Sequence, residues 1–283
     1  MVPVPPGPAP NPGRACVGLY PPVMRRALLI GAAALASAAL LAAAGCSDDP
    51  PDGEGTTTRD TPQPVAGPIR LEKGVRGEVA WTARLRRTAL ARSAPQGSAP
   101  AWMEITRRTP YSGREAGFLV TGAYRERTGR EWVRVQLATR PNGTTAWVPR
   151  RDVRLTATRY RIRVDLSERR LDLFRDGRRV ASHPAGIGRT DYPTPTGTFA
   201  IEDALPSRPE WRTKYGAYVL TLTAFSNVLT SFMGGEGQSA IHGTGSLGRV
   251  GRPASFGCVV LGDAALRDLY RRVRPGTPVE IVA

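Results

Sequence analysis

Two lysines, two histidines and three cysteines are all that 283 residues contain. Each scarcity removes a class of chemistry. With only His183 and His242, the three protein ligands of a zinc peptidase are not readily assembled. No metal and no cofactor are expected. Lysine is confined to Lys73 and Lys214, so arginine carries almost all of the formal net charge of +16. That balance favours anionic partners. The arginines, however, are scattered through strand-like segments, with no basic helix and no aromatic-basic repeat, which argues against a nucleic-acid binder. They read mainly as solvated faces. No internal repeat is present, and the 41% apolar content suffices for packed cores.

One long uncharged run exists, at 27–44. It follows Met24-Arg25-Arg26 and leads into Gly45-Cys46-Ser47: a basic region, an apolar region and a small-residue cleavage site. The segment Leu41-Ala42-Ala43-Ala44-Gly45-Cys46 resembles a bacterial lipobox, with Ala43 where leucine is usual. Residues 24–45 are therefore expected to be a lipoprotein signal peptide, with Cys46 lipidated. An uncleaved membrane anchor is the alternative. Both place the remainder outside the cytoplasm; the lipoprotein reading tethers it to the outer face of the cytoplasmic membrane, facing the cell wall. The proline-rich residues 1–23 do not fit ahead of such a signal, and translation is expected to start at Met24. Cys16 then disappears, Cys46 carries lipid, and Cys258 is the one thiol left, which marks it as reactive.

Residues 46–70 hold too few apolar side chains to offset chain entropy and read as a disordered linker. Residues 74–156 read as a small all-β unit. Val133, Val135 and Leu137 alternate on one face, Pro141-Asn142-Gly143 turns, and 144–148 returns. The stretches Glu131-Trp132-Val133-Arg134-Val135 and Ala146-Trp147-Val148-Pro149 resemble the end of a bacterial SH3-like domain, implying a peptide- or wall-binding module. Trp81, Trp102, Trp132 and Trp147 are expected to be mostly core. Residues 158–283 form a second, mainly β pattern. Tyr160, Ile162, Val164 and Leu166 alternate with polar residues. Asp263 is placed to cap a helix whose Leu266, Leu269, Tyr270 and Val273 share a face, and 278–282 reads as a closing strand. His183 is expected to be an ordinary exposed or packed histidine.

The chemistry concentrates in Ile241-His242-Gly243-Thr244 and Ser255-Phe256-Gly257-Cys258-Val259, with imidazole and thiol 16 positions apart. A free thiol is only a few per cent thiolate near neutral pH, and imidazole is the usual base for it. The pair reads as a cysteine acyl-transfer site. Gly257 lets backbone approach a substrate, and the N–H groups of residues 256–258 are candidate oxyanion donors.

His-Gly-Thr, a short Arg/Gly loop and Ser-x-Gly-Cys-Val, together with Thr194-Pro195-Thr196-Gly197-Thr198-Phe199, resemble the YkuD-type L,D-transpeptidase domain over residues 158–283. The resemblance implies a β-sandwich catalytic domain with a short C-terminal helix. It implies that the cysteine attacks the third-residue carbonyl of a peptidoglycan stem peptide, releases D-alanine, and passes the thioester to a neighbouring stem as a 3→3 cross-link. Carried over, Cys258 is nucleophile, His242 general base and acid, and the Gly243 carbonyl orients the imidazole. Ser255 and Thr244 fall to the substrate site, and carbapenem β-lactams become expected covalent inhibitors. Two positions depart from the family's pattern. Phe256 stands where histidine is usual, and Val260 where arginine or asparagine is usual; Arg249 or Arg252 is the expected substitute for the second. Two other readings stay open: an L,D-carboxypeptidase using water as acceptor, and a wall-binding lipoprotein with an impaired site.

Overall fold

The computed structural model describes residues 67–68, 79–231 and 235–283. The expected signal peptide, Cys46 and most of the expected linker lie outside them. The first eight strands are β1 (Gly67–Pro68), β2 (Ala80–Leu85), β3 (Ala89–Arg92), β4 (Ala101–Ile105), β5 (Phe118–Arg125), β6 (Glu131–Gln136), β7 (Thr145–Pro149) and β8 (Val153–Thr158). They join in one sheet in the order β4-β3-β7-β6-β5-β2-β8, with β1 pairing β5. Alternation works as read: Val133, Val135 and Leu137 are all buried, in a core with Leu85, Ile105, Val148 and Val153. Each such aliphatic side chain contributes about 1.5–3 kcal/mol by leaving water. Trp132 is buried as expected, whereas Trp102 is 48% exposed because β4 is the edge strand of the sheet.

The second sheet is built from β9 (Tyr160–Asp165), β10 (Arg170–Arg175) and β11 (Arg178–Pro184), then, after a short β12 (Ile187–Gly188), from β13 (Gly197–Pro206), β14 (Tyr218–Phe225) and β15 (Gln238–His242). A short β16 (Pro253–Ser255) pairs β12, and β17 (Val259–Val260) and β18 (Pro278–Val282) complete the set. The sheet order is β11-β10-β9-β18-β13-β14-β15-β17. The short helix α1 (Arg212–Tyr215) precedes β14, and α2 (Asp263–Arg272) packs Leu266 and Leu269 into the same core as Ile162, Val164, Leu222 and Ile241. The chain is mainly β with a short helix near its C-terminus.

One local expectation is corrected. Asp263 does not cap α2: the N-cap is Gly262, with no side-chain cap bond, and Asp263 is already the first helical residue. Its Oδ1 instead accepts the backbone N–H of Ala217 at 3.3 Å. A Cβ at Gly216 or Gly243 would collide with that oxygen, so both positions need glycine for this approach.

The two sheets are tied by side chains that finish one another's backbones. Gln136 Nε2 donates to the Thr198 carbonyl at 2.8 Å, and its Oε1 accepts from Thr223 Oγ1 at 3.0 Å. Asn142 donates to Phe225 O and accepts from Phe225 N, both at 2.8 Å, as a neighbouring strand would. Arg140 Nη2 reaches Leu229 O at 2.9 Å and Glu236 O at 2.8 Å, spanning the connection between β14 and β15. Asp203, fully buried, accepts from Tyr111 N at 3.2 Å, Ser112 N at 2.7 Å and Ser112 Oγ at 2.6 Å.

Candidate active site

β15 and β17 run parallel at the end of the second sheet, with Ile241 opposite Val259 and His242 opposite Val260. Continuing that register by one residue puts Cys258 opposite Ala240, and the two share one apolar cluster. Side chains of period two share a face, so His242 stands on the face of Ala240 and Cys258. A two-residue offset between adjacent strands separates the His242 and Cys258 Cα atoms by about 8 Å, within reach of two inward-leaning side chains. Both residues are nearly enclosed, at 1% and 2% exposure.

Around His242 the contacts fix the ring. Nδ1 lies 2.6 Å from Gly243 O. A carbonyl only accepts, so this contact requires the proton on Nδ1 and leaves Nε2 with its lone pair. The ring meets Tyr215 edge-on, centroids 5.1 Å apart. Tyr215 is itself pinned, since its carbonyl accepts the Gly243 N–H at 2.8 Å. The two residues flanking the imidazole thus use backbone and ring to hold one orientation.

Cys258 is set by a tight loop. Ser255, 1% exposed, donates Oγ–H to the Cys258 carbonyl at 2.6 Å and accepts the Gly257 N–H at 3.1 Å. Gly257 has φ +106, a region L side chains rarely occupy. The Gly257 N–H is committed to Ser255, so of the three N–H groups expected to face an oxyanion the middle one is taken. Ser255 serves as a brace of this loop. Thr244 turns its hydroxyl to Ser246, accepting its N–H at 3.0 Å and donating to its carbonyl at 3.2 Å. Arg249 spends Nη2 on Ala254 O at 3.3 Å, and Arg252 is exposed.

Local sequence gave no sign of three further neighbours. Tyr111, from the first sheet's domain, joins the apolar cluster of Cys258, Ala240 and Tyr215, and its hydroxyl donates to Gln238 Oε1 at 2.6 Å. Gln238 stands on the same face of β15 as His242, so the first domain touches the strand that carries the histidine. Arg189 lies against the Phe256 and Tyr192 rings, two residues ahead of Cys258. The parallel β12–β16 pairing brings it there, with Arg189 N donating to Ser255 O at 3.0 Å.

Elsewhere, a cleft of about 420 Å³ is lined by Arg169, Arg170, Ser182, His183 and Pro184 among others. His183 is partly buried there and its Nε2 is enclosed without a hydrogen-bond partner. Among the described residues no three His, Cys, Asp or Glu side chains converge as a metal site would need. Among them, too, no helix is long and apolar enough to cross a membrane.

Residues 159–281 match the YkuD family, described as the L,D-transpeptidase catalytic domain. YkuD of Bacillus licheniformis, assigned as an L,D-transpeptidase, is 30% identical over 122 residues, 43% of this chain and 65% of that protein. YcfS of Escherichia coli, assigned likewise, is 29% identical over 158 residues, 50% of this chain and 49% of that protein. The chain spans less than two thirds of either relative's length. Among solved structures, L,D-transpeptidase 3 from Mycobacterium tuberculosis, in complex with a faropenem-derived adduct, aligns with TM-score 0.38 at 16% identity, covering 54% of this chain and 91% of that one. The sequence matches support reading residues 159–281 as an L,D-transpeptidase catalytic domain of the YkuD family.

Proposed function

We propose that this protein is a cysteine-dependent L,D-transpeptidase acting on peptidoglycan stem peptides. The observation that carries the reading is the register of β15 and β17: an imidazole whose Nδ1 is held by the Gly243 carbonyl lies on the strand neighbouring the Cys258 position. In the first half-reaction Nε2 takes the thiol proton and sulfur attacks the carbonyl of the stem's third residue. The tetrahedral adduct collapses with cleavage of the amide C–N bond, and the imidazolium returns the proton to the departing D-alanine amine. A side-chain amine of a neighbouring stem then attacks the thioester. Its surplus proton passes to Nε2, the C–S bond breaks, and the thiol is regenerated. The product is a 3→3 cross-link.

The same reading makes residues 24–45 a lipoprotein signal peptide with Cys46 lipidated, the residues of the first sheet an SH3-like wall-binding module, and carbapenems covalent inhibitors at Cys258. The test is intact mass. Wild-type protein incubated with a carbapenem gains one adduct, and Cys258→Ala gains none. With disaccharide-tetrapeptides, dimer formation supports transfer; tripeptide alone means water is the acceptor, and no adduct with either reagent sinks the catalytic reading.

A further inference from the structure

We infer that Arg189 is the specificity residue that reads a carboxylate of the substrate beside Cys258. The group it takes is the C-terminal carboxylate one residue beyond the scissile carbonyl. The inference rests on the acyl-transfer reading above.

Three facts lead there. The first is placement. The Arg189 guanidinium carbon lies 4.2 Å from the Phe256 ring centroid and 4.7 Å from that of Tyr192, while the two rings stand 4.9 Å apart. The three groups form a triangle on the loop that ends in Cys258. Phe256 precedes Cys258 by two residues, a span of about 7 Å in extended chain. A peptide's terminal carboxylate lies about 3.5 Å beyond the carbonyl that precedes it, so a long arginine side chain covers the gap.

The second fact is a guanidinium without a carboxylate partner among the described residues. Arg189 Nε is shut off from solvent with no hydrogen-bond partner. Among the described residues no carboxylate pairs with the guanidinium, although Asp191 is two positions away. A guanidinium is always charged; the two ring faces stabilise it but pair with none of its N–H donors, which suits those donors to an incoming anion. Its planar fork matches a carboxylate bidentately, and the two rings hold that plane before the ligand arrives.

The third fact is elimination among the loop arginines. Arg249 is occupied by the Ala254 carbonyl. Arg252 is exposed and precedes β16, three positions before Ser255. Phe256, standing where the family's pattern has histidine, then has a use of its own: its face carries the guanidinium.

The test uses the full chain and a pair of tetrapeptide stems, one ending in a free carboxylate and one in a carboxamide. Binding is measured by calorimetry in the Cys258→Ala background, where no turnover intervenes. With Arg189 present the acid is expected to bind about 10- to 100-fold more tightly than the amide, the value of a charge-assisted pair. Arg189→Gln is expected to erase that preference by weakening the acid alone, and Arg189→Lys to keep part of it. Equal binding of acid and amide to the Arg189 protein overturns the inference, as does a preference that survives Arg189→Gln. Equal weakening of both peptides shows a structural role and overturns it too. Alkylation of Cys258 by uncharged iodoacetamide, run on Arg189→Gln with Cys258 restored, reports whether the loop has kept its shape. Failure of wild type to form any thioester sinks the catalytic reading by itself, since the binding comparison does not need one.

Discussion

Ser112 donates its hydroxyl to a carboxyl oxygen of Asp203 at 2.6 Å, across 91 positions of sequence and from one β domain to the other. The N–H groups of Tyr111 and Ser112 point at the same side chain, so a loop of the first domain supplies three donors to a fully buried acceptor of the second. A buried acceptor that loses a partner costs more than an exposed one, because water cannot replace it. Ser112→Ala is expected to lower the unfolding free energy by about 1.5–3 kcal/mol, the range for a hydrogen bond to a charged group. Urea denaturation of the full chain measures this; an unchanged midpoint would show that the hydroxyl adds nothing.

Arg140 ties both ends of the β14–β15 connection, through the carbonyls of Leu229 and Glu236. Leu229 also packs in the cluster of Cys258. Arg140→Ala is expected to speed amide exchange in peptides covering 226–237 by about 10-fold while exchange in β9 and β10 stays constant. Hydrogen exchange read by mass spectrometry separates this local loosening from global destabilisation.

Gly257→Ala asks an L residue to hold φ +106 beside the Pro193 carbonyl. The strain is expected to cost about 1–3 kcal/mol, or to turn the loop out of register with Ser255. The first outcome shows in thermal unfolding. The second shows as slower thiol alkylation at an unaltered melting temperature.

His242→Ala is expected to lower turnover of tetrapeptide stems by at least about 10²-fold, the usual share of general acid–base catalysis. Single-turnover thioester formation, followed by mass, is the direct readout. Near-normal turnover would remove the assigned role.

Legibility followed periodicity. The half-buried strand β9 announces itself, since Ile162 and Val164 point inward between exposed or partly exposed arginines. So does the 141–143 turn. β14 does not alternate: all but its first residue are buried, because it lies deep in the sheet with side chains covered on both faces. His242 and Cys258 could be singled out because both sit inside one short motif, and the register of β15 with β17 puts that motif's two halves on neighbouring strands. Tyr111 and Gln238, 127 positions apart, carry no local mark of their contact. Arg189 was lost among many arginines, and only the β12–β16 pairing distinguishes it from a solvated one. The acidic residue at 263 looked like a helix cap from its position alone, and two glycines on other segments redirect it.

β18, at residues 278–282, lies between β9, the opening strand of its sheet, and β13. It runs parallel to the one and antiparallel to the other. The middle of this sheet is thus filled by the strand that follows all its other members in the sequence. Without residues 278–282 the edges of β9 and β13 have nothing between them. Loss of this five-residue strand would therefore split the sheet rather than trim its border.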